Sequence, residues 1–247
     1  MDGIHDLFIP PYLQQLGYGS ISCMIELGKK AISVKETHIE TNPFWEEWRG
    51  IFEYICCVEY AYNAIFQLPK GIAIGSIDVV PSKYHSASMV FYSEAILDNI
   101  SFWLKNKFNL QIQRTNCSLH KVEFQEQLIS KNEKFNIIFD EHKSYLTLLN
   151  KYRNEWVHRL AGGAFVSSDK PPSDPHANIQ IVVPIDPKVN IFNTNSKEYL
   201  RRIEECKLNN NGKWLYTIDE FANIIRDGVK QLTIDILEVT LEIFKDK

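Results

Sequence analysis

Three residues in the stretch KYRNEWVHRL, residues 151–160, have side chains that could do chemistry: Arg153, Asn154 and His158. Histidine has a reference pKa near ~6.5 and can exchange a proton at neutral pH, whereas the forked guanidinium of arginine stays charged and suits an anion. On a helix, with about 100° per residue, Arg153 and His158 lie about 140° apart. They can therefore converge only if the site lies at the helix end or is shared with a second element.

The charges around this motif favour an anion. Lys151, Arg153 and Arg159 outnumber Glu155, in a chain whose formal net charge is −4 at pH 7. The excess forms a small anion-attracting patch, in which Lys151 and Arg159 are candidate substrate-binding residues.

A purely structural interpretation of the motif stays open. An arginine near a helix end also satisfies orphan carbonyls. An arginine followed about four to six residues later by a histidine is a weakly specific pattern, because Arg114 and His120 in RTNCSLH also fit it, in a stretch without a helical stripe. What favours a functional interpretation of Arg153 and His158 is their place at the C-terminal end of a long amphipathic helix.

The rest of the sequence excludes several classes of function. It has no Walker A, GxGxxG, HExxH or GxSxG motif, and its five cysteines show no CxxC spacing, so neither a phosphate loop nor a metal site is indicated. The odd number of cysteines favours reduced thiols. We find no signal-peptide pattern and no apolar run near the ~20 residues of a membrane helix, which predicts a soluble, cytoplasmic protein. No cofactor is expected.

Four segments with helical periodicity must position the motif. They run from Pro43 to LPKG, from about Ser86 to Phe108, from about Asn132 to Leu160, and from the capping box of Thr217 and Glu220 to Ile243. Such helices bury their apolar stripes most simply against one another. The expected fold is therefore mainly α, an antiparallel four-helix up-and-down bundle.

Shorter segments predict β-structure outside the bundle. Residues 165–216 are interpreted as a β-rich insertion before the last helix, with a strand at ANIQIVVPI and a hairpin between EYLRRIEECKL and KWLYT; the first arm could equally be a short helix. GIAIGSIDVV could form a strand, and the N-terminal elaboration of residues 1–40 could form a β-hairpin. All of these elements are assigned to one domain, residues 1–247.

With its motif at the end of the third helix, the chain resembles the HEPN superfamily (higher eukaryotes and prokaryotes nucleotide-binding). Active members carry an arginine, a polar residue that is often asparagine, a few further residues and a histidine, and Arg153, Asn154 and His158 match these positions. The resemblance covers the four helices. It implies a metal-independent endoribonuclease, commonly a toxin or a defence effector.

The resemblance also implies roles and partners. His158 is expected to be the general acid/base, Arg153 to bind the scissile phosphate and Asn154 to orient one of them. In such families two motif-bearing helix ends meet across a dimer, so a homodimer acting on RNA is expected, with an antitoxin as a further partner. Glu94 and Asp98, one turn apart on the second helix, could support the motif, or form a solvated acidic edge.

Two other functions stay open. A HEPN-like bundle can keep the motif without catalysis and bind a nucleotide or a partner, in which case His158→Ala leaves its biological effect intact. A purely structural homodimer would show no RNA affinity, even at low salt where charge contacts are strongest.

Overall fold

The computed structural model describes residues 43–67, 76–159, 164–169, 179–189 and 196–244. The predicted N-terminal hairpin of residues 1–40 lies outside these ranges. Within them the chain is mainly helical with a small antiparallel sheet, which confirms the mainly α prediction. No helix of this described part has the length and apolarity needed to cross a membrane.

The α-helices of the described residues are α1 (Pro43–Gln67), α2 (Ser76–Phe108), α3 (Val122–Lys131), α4 (Lys134–Arg159), α5 (Lys197–Asn209) and α6 (Ile218–Phe244). The four predicted long helices correspond to α1, α2, α4 and α6. The predicted capping box is confirmed at the start of α6, where the Thr217 amide donates to Glu220 Oε2 at 2.9 Å and the Glu220 amide donates to Thr217 Oγ1 at 3.2 Å.

Helix α2 begins at Ser76, well before its predicted start near Ser86. The strand predicted at GIAIGSIDVV is therefore wrong for residues 76–80, and residues 71–75 lie outside the described part. A stripe of buried residues with helical spacing runs through this turn and the next ones, at Val79, Ser82, Ser86, Met89 and Ser93. Serines occupy three of these positions, so a search for apolar residues misses the stripe. The Ser86 hydroxyl is satisfied inside the helix, donating to the Ser82 carbonyl at 2.7 Å.

Helix α3 was not apparent from the sequence. It buries one pair of side chains a turn apart, Phe124 and Leu128, both fully buried, and a single pair is too short a pattern to predict a helix. Helix α4 then begins at Lys134, after an extended residue at Asn132.

The insertion is a mixture of strands and helix. Strands β1 (Phe165–Ser168), β2 (Ile179–Pro184) and β3 (Leu215–Thr217) form an antiparallel sheet in the order β1-β2-β3, with Val182 paired to Phe165 on one side and to Thr217 on the other. The strand prediction at ANIQIVVPI is confirmed over Ile179–Pro184, and residues 177–178 lie outside the described part. The extended arm in KWLYT is confirmed at Leu215–Thr217. The residues SSDKPPSDP, at 167–175, predict an exposed loop from their proline, serine and aspartate content. This prediction is wrong at Ser167 and Ser168, which belong to β1, and residues 170–175 lie outside the described part.

The predicted hairpin is wrong in its first arm, because EYLRRIEECKL is helix α5. Ile203 and Cys206 are buried three residues apart on one face, and the Ser196 hydroxyl caps the N-terminus by accepting from the Tyr199 amide at 3.0 Å. Residues 210–212 form a turn, but it connects α5 to β3, and Asn211 and Gly212 have positive φ angles of 52° and 84°.

The chain divides into two compact units, and each of the helices α1, α2, α4 and α6 contributes to both. The motif unit comprises Ala61–Glu94 and Thr147–Asp227, and contains the sheet and the end of α4. Its core includes Ile65, Met89, Tyr152, Val183 and Phe221. Among the described residues, the other unit comprises residues 43–60, 95–146 and 228–244. The single-domain interpretation of residues 1–247 stays a prediction.

Candidate functional site at the end of helix α4

The last turns of α4 carry the motif on a helix whose inner face is buried. Tyr152 is 0% and Trp156 is 7% exposed, whereas Arg153 is half-buried and Asn154 is exposed. His158 lies in the same helix, and its side chain is outside the described part of the structure. The helix therefore presents Arg153 and Asn154 away from the core, one on the flank and the other on the outer face.

The outer face of this helix carries a row of polar residues at one-turn spacing. Positions 150, 154 and 158 are each four residues apart, so neighbours in the row differ by about 40° around the helix. The Asn154 amide nitrogen donates to Asn150 Oδ1 at 3.1 Å. Asn154 is thus engaged with the preceding turn, and position 158 follows one turn later.

Tyr152 fixes the inner face to the sheet. Its hydroxyl donates to the carbonyl of Pro184, at the end of β2, and also lies 3.3 Å from the Ile185 carbonyl. Its ring packs against Trp156 and Phe221, with centroids 5.0 Å and 4.9 Å away. Burial raises the pKa of Tyr152 well above the ordinary tyrosine value, so the hydroxyl remains a donor at neutral pH. The helical stripe predicts that Tyr152 is buried, but no pattern in the sequence identifies its acceptors.

Glu155, which the charge count treats as a surface residue, is 6% exposed. It lies three residues after Tyr152 and directly before Trp156, so helical phase places it beside the buried stripe. That phase is the signal by which the sequence could have identified it. A carboxylate buried this deeply in a protein is paired or hydrogen-bonded.

Only part of the predicted basic patch falls within the described residues. Lys151 is exposed, and the side chain of Arg159 lies outside the described part. Burial and Asp186 raise the pKa of the Cys206 thiol, and Lys151 opposes this shift, so the charge of Lys151 acts on the face of α5 that bears Cys206. Arg202 on the same helix lies 3.6 Å from Asp186.

The two candidate supporting acids have different environments. Glu94 is 3% exposed, so the solvated-edge interpretation is wrong for this residue. Asp98, one turn later on α2, is half-buried. Glu94 belongs to the motif unit with Arg153, whereas Asp98 belongs to the other unit.

Arg114 and His120, the second arginine and histidine pair with a similar spacing, lie in a different structural environment. Arg114 is exposed in a short 3₁₀ turn, Arg114–Asn116, and its guanidinium lies 5.6 Å from the Phe102 ring centroid. His120 follows in a turn before α3. The two residues share no helix, which makes them suitable controls.

The described residues contain no group of three or more histidine, cysteine, aspartate or glutamate side chains that could hold a metal ion. Their four cysteines, Cys56, Cys57, Cys117 and Cys206, form no disulfide. Burial raises the pKa of Cys56 to about 11, with Cys57 adding to the effect, so this thiol is a poor nucleophile at neutral pH. Cys23 lies outside the described part.

In comparisons with known proteins, no family model, no curated protein and no solved structure matches this chain.

Proposed function

We propose that this protein is a HEPN-like, metal-independent endoribonuclease that works as a homodimer, with α1, α2, α4 and α6 as the four helices of an up-and-down bundle. The observation that carries the proposal is the end of α4. There Arg153, Asn154 and His158 follow one another within the last two turns of a helix that is anchored by buried Tyr152 and Trp156.

The proposed reaction is attack of a ribose 2′-hydroxyl on the adjacent phosphorus. His158 accepts the 2′-hydroxyl proton or returns a proton to the leaving 5′-oxygen, which gives a 2′,3′-cyclic phosphate and a free 5′-hydroxyl. Arg153 binds the phosphate and stabilises the extra negative charge that develops on it. Lys151 and Arg159 supply further positive charge for the RNA backbone.

Asn154 is assigned to His158 rather than to Arg153. It lies about 100° from position 153 but about 40° from position 158 around the helix, one turn away in the same row. Its amide nitrogen donates to Asn150, which fixes the side chain and leaves the amide oxygen as an acceptor for an imidazole N–H. Such a bond would select the tautomer of His158. Glu94 and Asp98 remain candidate supporting acids.

A stripe on α2 supports the homodimer. Val80, Tyr84 and Phe91 are 60%, 66% and 53% exposed, and exposed Ala87 completes a heptad-like spacing. A stripe of this kind can pair with its own copy about a two-fold axis. With about 200 Å² per aromatic side chain, Tyr84 and Phe91 leave roughly 240 Å² in water. A specific interface needs about 800 Å² per partner, so the stripe would form its centre and flanking residues the remainder.

The test is cleavage of total RNA and of purified tRNA in excess EDTA. Wild type should yield cyclic-phosphate ends, and His158→Ala and Arg153→Ala, purified in the same way, should not. His120→Ala and Arg114→Ala are the matched controls, because this pair has the same type of spacing away from α4, and both should cleave like wild type. Light scattering should give a dimer for wild type and a monomer for Phe91→Glu, whereas Leu208→Glu, at an 81% exposed position on α5, should stay dimeric.

Equal activity of wild type and His158→Ala would trace cleavage to a contaminant or to another site. A folded dimer that binds RNA or a nucleotide without cleaving would favour the silent binding module. If wild type cleaves, toxicity in cells and its suppression by a co-expressed antitoxin are the expected biological consequences.

A further inference from the structure

The insertion between α4 and α6 makes a polar contact with the motif helix at Tyr152, the residue directly before Arg153. The Tyr152 hydroxyl donates to the carbonyl of Pro184 and lies 3.3 Å from that of Ile185. The side chain is fully buried, so water cannot replace this bond.

The acceptor segment is itself held on two sides. Ile185 donates its amide to the Trp214 carbonyl at 3.0 Å, which continues the pairing of Pro184 with Leu215 between β2 and β3. The next residue, Asp186, lies 3.6 Å from Arg202 on α5. The carbonyls that accept from the Tyr152 hydroxyl therefore belong to a strand end that is fixed by backbone pairing and by an ion pair.

We propose that Tyr152 is a positioning residue, and that the insertion, through β2, sets the place of the end of α4 and hence of Arg153 and His158. This proposal rests on the proposed function where it concerns cleavage. It also gives the insertion a role, the positioning of the end of α4, which the motif alone does not predict. The ring of Tyr152, packed on Trp156 and Phe221, keeps the helix in the core, and the hydroxyl sets its depth and rotation relative to the sheet.

A small displacement here matters for catalysis. Position 158 lies about 9 Å along the axis from Tyr152, so a tilt at the anchor moves the histidine and the arginine relative to the substrate. A misplacement of about 1 Å in an active site can cost about 100-fold in rate. Tyr152→Phe should therefore lower kcat by about 10- to 100-fold and change KM little, since the charges that attract RNA are all retained.

The test compares Tyr152→Phe with Tyr62→Phe. Tyr62 donates to Asn223 Oδ1 at 2.9 Å within the motif unit, and its ring contacts Phe66 and the Arg226 guanidinium, so the control also loses one hydroxyl and keeps its ring packing. The Tyr62 hydroxyl therefore connects α1 to α6 rather than α4 to the sheet. Both variants should lose melting temperature to a similar degree, and Tyr62→Phe should keep the wild-type kcat.

Hydrogen–deuterium exchange gives a readout that does not depend on RNA cleavage. The proposal predicts faster exchange at residues 153–159 and 182–185 in Tyr152→Phe, and wild-type exchange there in Tyr62→Phe. Unchanged exchange in Tyr152→Phe would overturn the proposal whether or not the wild type cleaves RNA, and so would a wild-type kcat in that variant. If the wild type cleaves no RNA but exchange rises as expected in Tyr152→Phe, the positioning role of Tyr152 is supported and the proposed nuclease function is wrong.

Discussion

Gly228, in the middle of α6, lies against the ring of Tyr145 on α4, and this contact reverses the usual effect of glycine in a helix. A Cβ added at Gly228 would lie 2.2 Å from Tyr145 Cδ2, 2.3 Å from Cε2 and 2.8 Å from Cγ. Nonbonded carbon atoms rest about 3.5–4.0 Å apart. Gly228→Ala therefore requires the ring or the helix to move by more than about 1 Å.

The magnitude is the balance of two terms. Replacing glycine by alanine in a helix interior stabilises by about 1 kcal/mol. Overpacking costs about 1–3 kcal/mol, and three ring atoms at these distances place Gly228→Ala at or above the upper end. The net result is a loss of about 2 kcal/mol. For a chain of this size the melting temperature should fall by about 4–8 °C.

The assay is thermal and urea unfolding beside Gly50→Ala as the control. A Cβ at Gly50 on α1 would lie 3.4 Å from Asn99 Oδ1, an ordinary contact, so this substitution should raise the melting temperature by about 2–4 °C. In a Tyr145→Ala background, where the ring is absent, Gly228→Ala should become stabilising. A higher melting temperature for Gly228→Ala in the wild-type background would refute the close packing of α4 and α6.

Two further predictions concern polar groups of α4 and α6. Asp235→Ala removes the carboxylate that lies 2.7 Å from Nε2 of His142, a residue 9% exposed, and should lower the free energy of unfolding in urea by about 1–3 kcal/mol. Glu220 accepts from the Thr217 amide, and this bond, with help from Lys213, lowers its pKa below the ordinary 4.5. Its contribution to stability is therefore fully present above pH 4.5 and is lost as the pH falls through the lower folded pKa. Wild type should accordingly lose its stability advantage over Glu220→Gln as the pH is lowered below 4.5.

The control for Asp235→Ala is Glu242→Ala. Lys134 and Glu242 form an ion pair at 2.5 Å, but their side chains are 47% and 59% exposed, so its removal should change stability by less than about 1 kcal/mol. Equal losses in the free energy of unfolding for Asp235→Ala and Glu242→Ala would contradict the expectation that the more buried pair contributes more to stability. If the stability of wild type and that of Glu220→Gln depended on pH in the same way, the Glu220 carboxylate would make no contribution to the loss of stability in acid.

Sequence patterns predicted the elements whose signals are local. The capping box of Thr217 and Glu220 and the apolar stripes of α1, α4 and α6 can be identified without tertiary information. The first turns of α2 could not, because their buried stripe passes through Ser82 and Ser86, whose hydroxyls make them resemble solvent-facing residues. The segment that forms α5 is short, and its apolar residues fit a strand and a helix equally well until packing buries Ile203 and Cys206.

In the candidate site, too, the sequence predicts local features but not tertiary contacts. Spacing identifies Arg153, Asn154 and His158, and the stripe identifies Tyr152 as a core residue. The acceptors of the Tyr152 hydroxyl are more than 30 residues away along the chain, at Pro184 and Ile185, and no spacing rule connects them. Such contacts arise from the tertiary fold and become visible only in the structure.

If the end of α4 is the proposed nuclease site, a second surface must complete it. The shorter arc from position 153 to position 158, about 140°, passes through exposed Asn154 and away from buried Tyr152 and Trp156. Arg153 and Asn154 therefore lie on the arc of the helix that points away from the core, while the opposite arc is fixed to the sheet. Asn154 on this arc is exposed to water, whereas charge stabilisation of a phosphate is strongest where water is excluded. RNA together with a second copy of the chain would supply that exclusion, because each could cover the outer arc without disturbing the anchored one.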